Sequence, residues 1–320
     1  MRLARRSVEA MERLAERSGR GVFLRRGLLW RDGEQPLSMV QAALTAEDVE
    51  HEVVAPGDVD RFFDGLRPDG RGAVWQRDAG PVLAAASMAA QADLFAAAAG
   101  ELLIGREIAA IQTRPAGVRV HLDDATVLDA DVVVLAAGPG AQPLLAGLGV
   151  DLRLRPVLEQ VVHVGGPEDA GRACLFDGPT DEQPGMYAMP TPGLGYKLGI
   201  DAPLRDLHPG DLDRTPDASL TELALTRVRR DLLSMRPELV DAQVCSWTES
   251  PDGRFVVDSL PGGVVVACGD SGEGFKFSAL MGLVLADLAE GLPADADIAT
   301  FGLARFASAA PAVQPHVLGH

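Results

Sequence analysis

Lysine is nearly absent from this chain. Of 29 basic side chains in 320 residues, only Lys197 and Lys276 are lysines. Arginine supplies almost all the solvated positive charge. A retained lysine therefore points to what guanidinium lacks, a compact charge whose pKa falls readily on burial. Cysteine is also scarce. Cys174, Cys245 and Cys268 are too few and too scattered for a disulfide framework or a zinc site, and they fit a reducing cytoplasm. Net positive charge is missing, since 46 acidic side chains leave a formal −17. Such a surface repels phosphate backbones and anionic membranes, which excludes nucleic acid and membrane as partners. No apolar run reaches membrane-spanning length, because Ser87, Gln91 and Asp93 interrupt the longest alanine-rich stretch. Residues 1–20 lack the apolar core of a signal peptide. The six histidines share no metal or triad spacing, no Gly-x-Ser-x-Gly elbow or phosphate loop occurs, and no metal site is expected.

What is present is a chain 47% hydrophobic, long enough for one large or two moderate domains. Residues 1–18 read as an amphipathic helix with Leu3, Val8, Met11 and Leu14 on one stripe. Strands are expected over 22–30, 73–75 and 100–104, with helices over 45–52 (capped by Thr45) and 81–99. An antiparallel pair follows at 106–112 and 117–122, with an edge at 126–129. The continuous apolar run at 131–137 is of the kind buried on both sheet faces, and it breaks at Gly138-Pro139-Gly140. Residues 153–201 read as mostly β. A helix over 219–235, strands over 244–249 and 254–259, and a second apolar run over 263–268 lead to an apolar helix over 277–290. The tail, 309–320, is expected to fray.

Two stretches carry chemistry. Each lysine sits among glycines, Lys197 after Gly193 and Gly195, Lys276 after Gly269, Gly272 and Gly274. Glycine lets backbone approach a ligand closely. Around Lys276 the order is buried strand, glycine turn, helix, and a helix N-terminus offers unpaired N–H groups and partial positive charge. This predicts a ligand site at 269–276; the alternative is a plain strand-to-helix crossover. Gly138-Pro139-Gly140 is superficially a dinucleotide fingerprint, but Pro143 holds the third glycine position and no acid follows at a strand end. It is better read as a strand ending beneath a cofactor. Cys245, in an apolar strand, is by local pattern most simply inert core.

Gly269-Asp-Ser-Gly-Glu-Gly-Phe-Lys-Phe-Ser278 resembles the C-terminal glycine/lysine motif of the monomeric sarcosine oxidase and N-methyltryptophan oxidase group, within the D-amino-acid-oxidase-like FAD superfamily. Residues 243–258, with Cys245, Trp247, Thr248 and Phe255, resemble the stretch before it. Residues 131–138 resemble the strand ending in Ala-x-Gly, Lys197 in Tyr-Lys-Leu-Gly falls on the other lysine motif, and Arg305-Phe306 resembles the terminal helix. The resemblance implies that Lys276 contacts a substrate carboxylate and that Lys197 promotes the reaction of reduced flavin with oxygen. It implies FAD as cofactor, carried covalently by Cys245 in the sarcosine oxidases. It places Ile108, Gly138, Gly269, Gly272, Gly274, Phe275 and Lys276 along the cofactor, and Trp247 against the substrate. Asp201, Asp270 and Glu273 stand where sarcosine oxidases have a histidine, an aromatic and another histidine. Extra carboxylates there suit a cationic amine; the alternative is that they point away from the pocket.

The fold implied is α/β (α+β): an FAD-binding doubly wound sheet missing its first βαβ unit, interleaved with a mostly antiparallel β substrate domain. The first would comprise 1–21, 76–152 and 248–320, the second 22–75 and 153–247. Met1 aligns beyond the family's glycine-rich opening, so the expectation is that the true start lies upstream. The alternatives are a truncated relative, or a partner chain or homo-oligomer meeting an exposed sheet edge. The activity implied is oxidation of an amine or N-substituted amino acid, with oxygen as acceptor; a dehydrogenase passing electrons to a carrier is the other enzymatic option.

Overall fold

The computed structural model describes residues 1–306; the tail expected to fray lies outside the described residues. In chain order the strands are β1 (Leu28–Arg31), β2 (Glu52–Val54), β3 (Ala73–Gln76), β4 (Ile108–Arg114), β5 (Gly117–Leu122), β6 (Val127–Ala130), β7 (Val133–Leu135), β8 (Arg155–Val164), β9 (Cys174–Asp177), β10 (Met186–Thr191), β11 (Gly195–Ile200), β12 (Arg205–Asp206), β13 (Leu239–Glu249), β14 (Val256–Leu260) and β15 (Val264–Cys268). The helices are α1 (Arg2–Ser18), α2 (Glu34–Ala46), α3 (Ala84–Ala97), α4 (Ala141–Gly147), α5 (Ala218–Asp231), α6 (Ser278–Ala289) and α7 (Ala296–Ala299).

Among the described residues, nine strands form one sheet in the order β12-β8-β11-β10-β9-β1-β3-β2, with β13 on the other side of β8. Only the β1–β9 pair is parallel. Period-2 alternation sends Tyr196, Leu198 and Ile200 of β11, with Val162 and Val164 of β8, to one face, where they pack on Ala224, Leu225 and Val228 of α5. The same alternation leaves Lys197 on the other face. α5 starts at Asp217, whose carboxylate accepts the Ser219 and Leu220 N–H groups.

A separate three-stranded sheet has the order β14-β15-β7. β15 and β7 run parallel, Val264 opposite Val133 and Val266 opposite Leu135. α4 and the β4-β5-β6 meander cover one face through Leu145, Ile111 and Val118. α6 covers the other through Leu280 and Val284, and α1 joins it through Ala10. The run at 264–266 is buried as expected, but that at 131–137 is not buried on both faces: Val134 is 42% exposed. The reason is position. β7 has β15 along one edge and no strand along the other among the described residues.

Other expectations shift for local reasons. The stripe of α1 runs through Ser7, Ala10, Met11 and Leu14 rather than Val8, and it stops at Gly19 (φ 68). Residues 100–104 form no strand, with Ile104 88% exposed, because an apolar run without a neighbouring edge has nothing to pair with. Only the last part of 22–30 is a strand. Gly27 (φ 80) breaks the path there, and a Cβ on it would lie 1.9 Å from the Trp75 ring. The helix expected at 45–52, capped by Thr45, is displaced toward the N-terminus: α2 starts at Glu34, tolerates Pro36 in its first turn, packs Leu37, Val40 and Leu44 on Val74 and Trp30, and has Thr45 in its last turn.

Candidate functional site

The face of the large sheet away from α5 collects polar side chains around Lys197. Lys197 pairs with His163 of β8 and with Met189 of β10. Two and four positions on, Gly199 and Asp201 follow on the same face. Glu159, four positions before His163, lies opposite Cys245 of β13. Tyr187 lies over Gly199, where a Cβ would be 2.2 Å from the phenol ring, so only glycine fits beneath it. The Tyr187 hydroxyl donates to Glu159 Oε1 at 3.5 Å, and the Lys197 ammonium stands 5.9 Å from the Tyr187 ring centroid. Among the described residues Lys197 forms no ion pair or hydrogen bond.

Burial sets the electrostatics of this face. Desolvation pushes the Glu159 carboxyl up to about 8; Asp201 adds to the rise, while Lys197 and the Tyr187 hydroxyl oppose it. Desolvation lowers the Lys197 ammonium, partly offset by Cys245 and Glu159. The Cys245 thiol is raised by desolvation, then by Glu159, against the pull of Lys197, although the residue keeps solvent-exposed surface. His163 is lowered by burial and then by Lys197, and its Nδ1 is a buried atom with no partner. Cys174 and Cys268 are buried, whereas Cys245 is exposed. Glu159, His163 and Tyr187 were missed in the sequence. The signal was there for two of them: Glu159 and His163 interrupt the apolar run of β8 four positions apart, which on a strand is one face.

The glycine turn is clamped to the end of β13. Ser271 N–H donates to Thr248 O at 2.9 Å, Asp270 accepts the Thr248 N–H at 3.2 Å, and Ser271 Oγ accepts the Ser250 N–H at 3.2 Å. Gly269 and Gly272 have φ of 61° and 81°, which favours glycine. Gly272 sits beside the Trp247 indole. Burial raises the Asp270 carboxyl against the pull of backbone N–H donors, so this acid also serves as the cap of the turn. Lys276 lies in the 3-10 turn Phe275–Phe277 before α6, with its side chain 52% exposed and paired to Glu273 at 2.7 Å. Its carbonyl accepts from Ser7 Oγ, which ties α1 to the turn. Phe275 is exposed.

β13 therefore links the two lysine motifs: Cys245 faces the Lys197 group, and Trp247 and Thr248, two and three positions on, hold the turn that carries Lys276. The parallel β7–β15 register puts Gly138 and Gly269 at the same carboxyl end of their sheet, the end at which open α/β sheets bind ligands. Ile108 opens β4 on the meander, opposite Leu122. An open cavity of about 550 Å³ lies elsewhere, lined by Ile111, Thr113, Leu148 and Pro261, and holds none of these residues. Among the described residues no group of three or more His, Cys, Asp or Glu side chains could hold a metal ion. No helix there is long and apolar enough to cross a membrane.

The junction fits the ring end of a flavin. Trp247 Nε1, Thr248 Oγ1 and Ser278 Oγ are buried without hydrogen-bond partners, and they sit at the end of β13 and the first residue of α6. Buried polar atoms are rarely left unpaired, so each has hydrogen-bonding capacity left for a bound polar group, Trp247 on the Cys245 face of β13 and Thr248 on the other. The pyrophosphate end is less complete: among the described residues Gly138-Pro139-Gly140 leads only into the seven-residue α4.

Comparison with known proteins bears on the family and the fold. A family model described as FAD dependent oxidoreductase matches residues 1–288. The chain is 26% identical over 302 residues to peroxisomal sarcosine oxidase of Homo sapiens, covering 88% of this chain and 75% of that one. It is 28% identical over 296 residues to monomeric sarcosine oxidase of Streptomyces avermitilis, covering 89% and 77%. The solved structure of NikD, an unusual amino acid oxidase essential for nikkomycin biosynthesis, superposes with a TM-score of 0.79 at 25% identity, covering 94% of this chain and 82% of that one.

Proposed function

Since the chain belongs to the FAD dependent oxidoreductase family, and is thus an FAD-dependent amine oxidoreductase, we propose that it oxidises an N-substituted or primary amino acid to the imine, with oxygen as acceptor and hydrogen peroxide as product. Bound FAD supplies the two-electron chemistry, and the protein supplies binding, orientation and electrostatics. The observation that carries this reading is the Lys197 ammonium, held on a flat sheet face beside Cys245 with no carboxylate paired to it among the described residues. A desolvated, unspent cation stabilises negative charge developing on oxygen.

The remaining residues take roles around it. Lys276 holds the substrate carboxylate, exchanging Glu273 for it. Trp247 walls the pocket, and Gly272 beside it leaves the approach open. Asp201 holds the protonated amine of a cationic substrate, with the protonated Glu159 carboxyl as a neutral hydrogen-bonding neighbour on the same face; Asp270 and Glu273 reinforce the negative field. Cys245, the exposed thiol of the three, tethers the flavin. Gly138, Gly269, Gly274, Phe275 and Ile108 lie along the cofactor. Residues 22–75 with 153–247 form the substrate domain, and the segments packed around β7, β14 and β15 form the cofactor domain; the separate cores of the two sheets support that division.

A second reading has its own observation. Among the described residues β7 offers an unpaired parallel edge, with Val134 exposed on it. A strand from another segment or a partner chain would extend the sheet and complete the dinucleotide half. The test of both is direct. Purified protein reconstituted with FAD should bind it, bleach on adding an N-methyl amino acid without air, and release peroxide in air. Bleaching without peroxide would favour electron transfer to a carrier. Failure to retain FAD would favour the requirement for a further strand.

A further inference from the structure

The α5 side of the large sheet carries a second polar feature that amine oxidation leaves unused. Arg31 and Asp177 end the parallel pair β1 and β9, and alternation turns both toward the face that buries Leu29 and Leu175. Asp177 is fully buried. It accepts Arg31 Nε and Nη2 at 2.9 Å each, Arg71 at 2.6 Å and Arg227 at 2.7 Å. One carboxylate thus meets three guanidinium groups. Asp69 pairs with Arg71 at 2.7 Å and lies 3.5 Å from Arg31, while Asp231 pairs with Arg227 at 2.9 Å and Arg230 at 2.5 Å. The exposed Arg67 side chain pairs with no carboxylate among the described residues.

These side chains, with Thr180 and Gln183, line a cavity of about 240 Å³. Five arginines against three aspartates leave the lining with an excess of two positive charges, in a chain whose formal charge is −17. Glu182, outside the lining, acts on Arg230 only after Asp231 and Asp177. Buried ion networks persist when their charges are compensated; Arg31, Arg71 and Arg227 are balanced here by Asp177, Asp69 and Asp231, and the excess charge lies on the exposed Arg67 and the partly exposed Arg230, which line the same cavity. Arginine forks are also the geometry that grips phosphate and carboxylate through paired N–H donors.

We propose that this cavity binds a small dianion, a phosphate monoester or a compact dicarboxylate, with Arg67 and Arg230 gripping it against a floor of Arg31, Arg71 and Arg227. The site lies on the sheet face opposite Lys197, so it stands or falls independently of the oxidase reading.

Calorimetric titration of the full chain at low ionic strength tests it, with inorganic phosphate and malonate as separate probes. Saturable one-to-one binding of at least one is expected, weakened tenfold or more in Arg67→Ala and in Arg230→Gln, and unchanged in Lys197→Met. Phosphate alone binding identifies a phosphorylated ligand, and malonate alone a dicarboxylate. Because Arg67 is exposed and unpaired, its removal leaves the buried network intact. No saturable binding of either probe, or equal affinity in both arginine variants, overturns the proposal.

Discussion

Cys245 and Glu159 stand directly opposite each other across the β13–β8 pair, on the face that carries Lys197. A thiol, a carboxyl and an ammonium thus share one patch, and burial pushes each toward its neutral form: up for Cys245 and Glu159, down for Lys197. A protonated thiol and a protonated carboxyl can be gathered beside the Lys197 ammonium, where two further fixed charges would cost far more desolvation.

If Cys245 tethers the flavin, absorption near about 450 nm stays with the chain after denaturation and gel filtration. Cys245→Ser should release it to the small-molecule fraction. Colour that leaves the wild-type chain on denaturation would show that no tether exists.

Lys197→Met should slow oxygen consumption by about 100-fold or more, in line with the loss of a preorganised charge. Anaerobic bleaching by substrate should be much less affected. Stopped-flow measurement of the two half-reactions separates them; equal slowing of both would remove the assigned role.

Lys276→Gln should raise KM for carboxylate-bearing amines by about 10- to 100-fold, the value of a hydrogen bond to a charged group. Amines without a carboxylate should be unaffected. Glu273→Gln should lower KM for the carboxylate-bearing series, because it frees Lys276 from its 2.7 Å partner.

The Glu159 carboxyl is held up to about 8 in the folded protein, well above its ordinary range near 4.3. Between those values the folded state binds the extra proton, so the contribution of Glu159 to stability is fully present at low pH and is lost as pH rises toward 8. Urea midpoints measured from pH 5 to about 8.5 should fall for the wild type relative to Glu159→Gln. Parallel curves would rule out a raised Glu159.

Asp177→Asn should destabilise the fold by about 3–5 kcal/mol, because it leaves buried guanidinium groups uncompensated. A urea midpoint that moves by less than the error of the extrapolation would show that the network is not under charge strain.

Much of this was legible in the chain order. The glycine turn before α6, the β4–β5 pair and the mostly antiparallel middle all follow from local pattern, because turns and alternation act over a few residues. The strand expected at 100–104 and the double burial expected at 131–137 failed for one reason: whether an apolar run pairs, and on how many sides it is covered, depends on neighbours supplied from elsewhere.

The scarcity of lysine and the glycines beside it singled out Lys197 and Lys276 as candidates before any fold was known, since a chemical demand on residue choice survives in composition. Tertiary structure alone decided what surrounds them. Glu159 reaches Cys245 through pairing of strands far apart in the chain, and Arg31 finds Asp177 across 146 positions. Electrostatic environment is set by distance and burial in space, and neither is written along the chain.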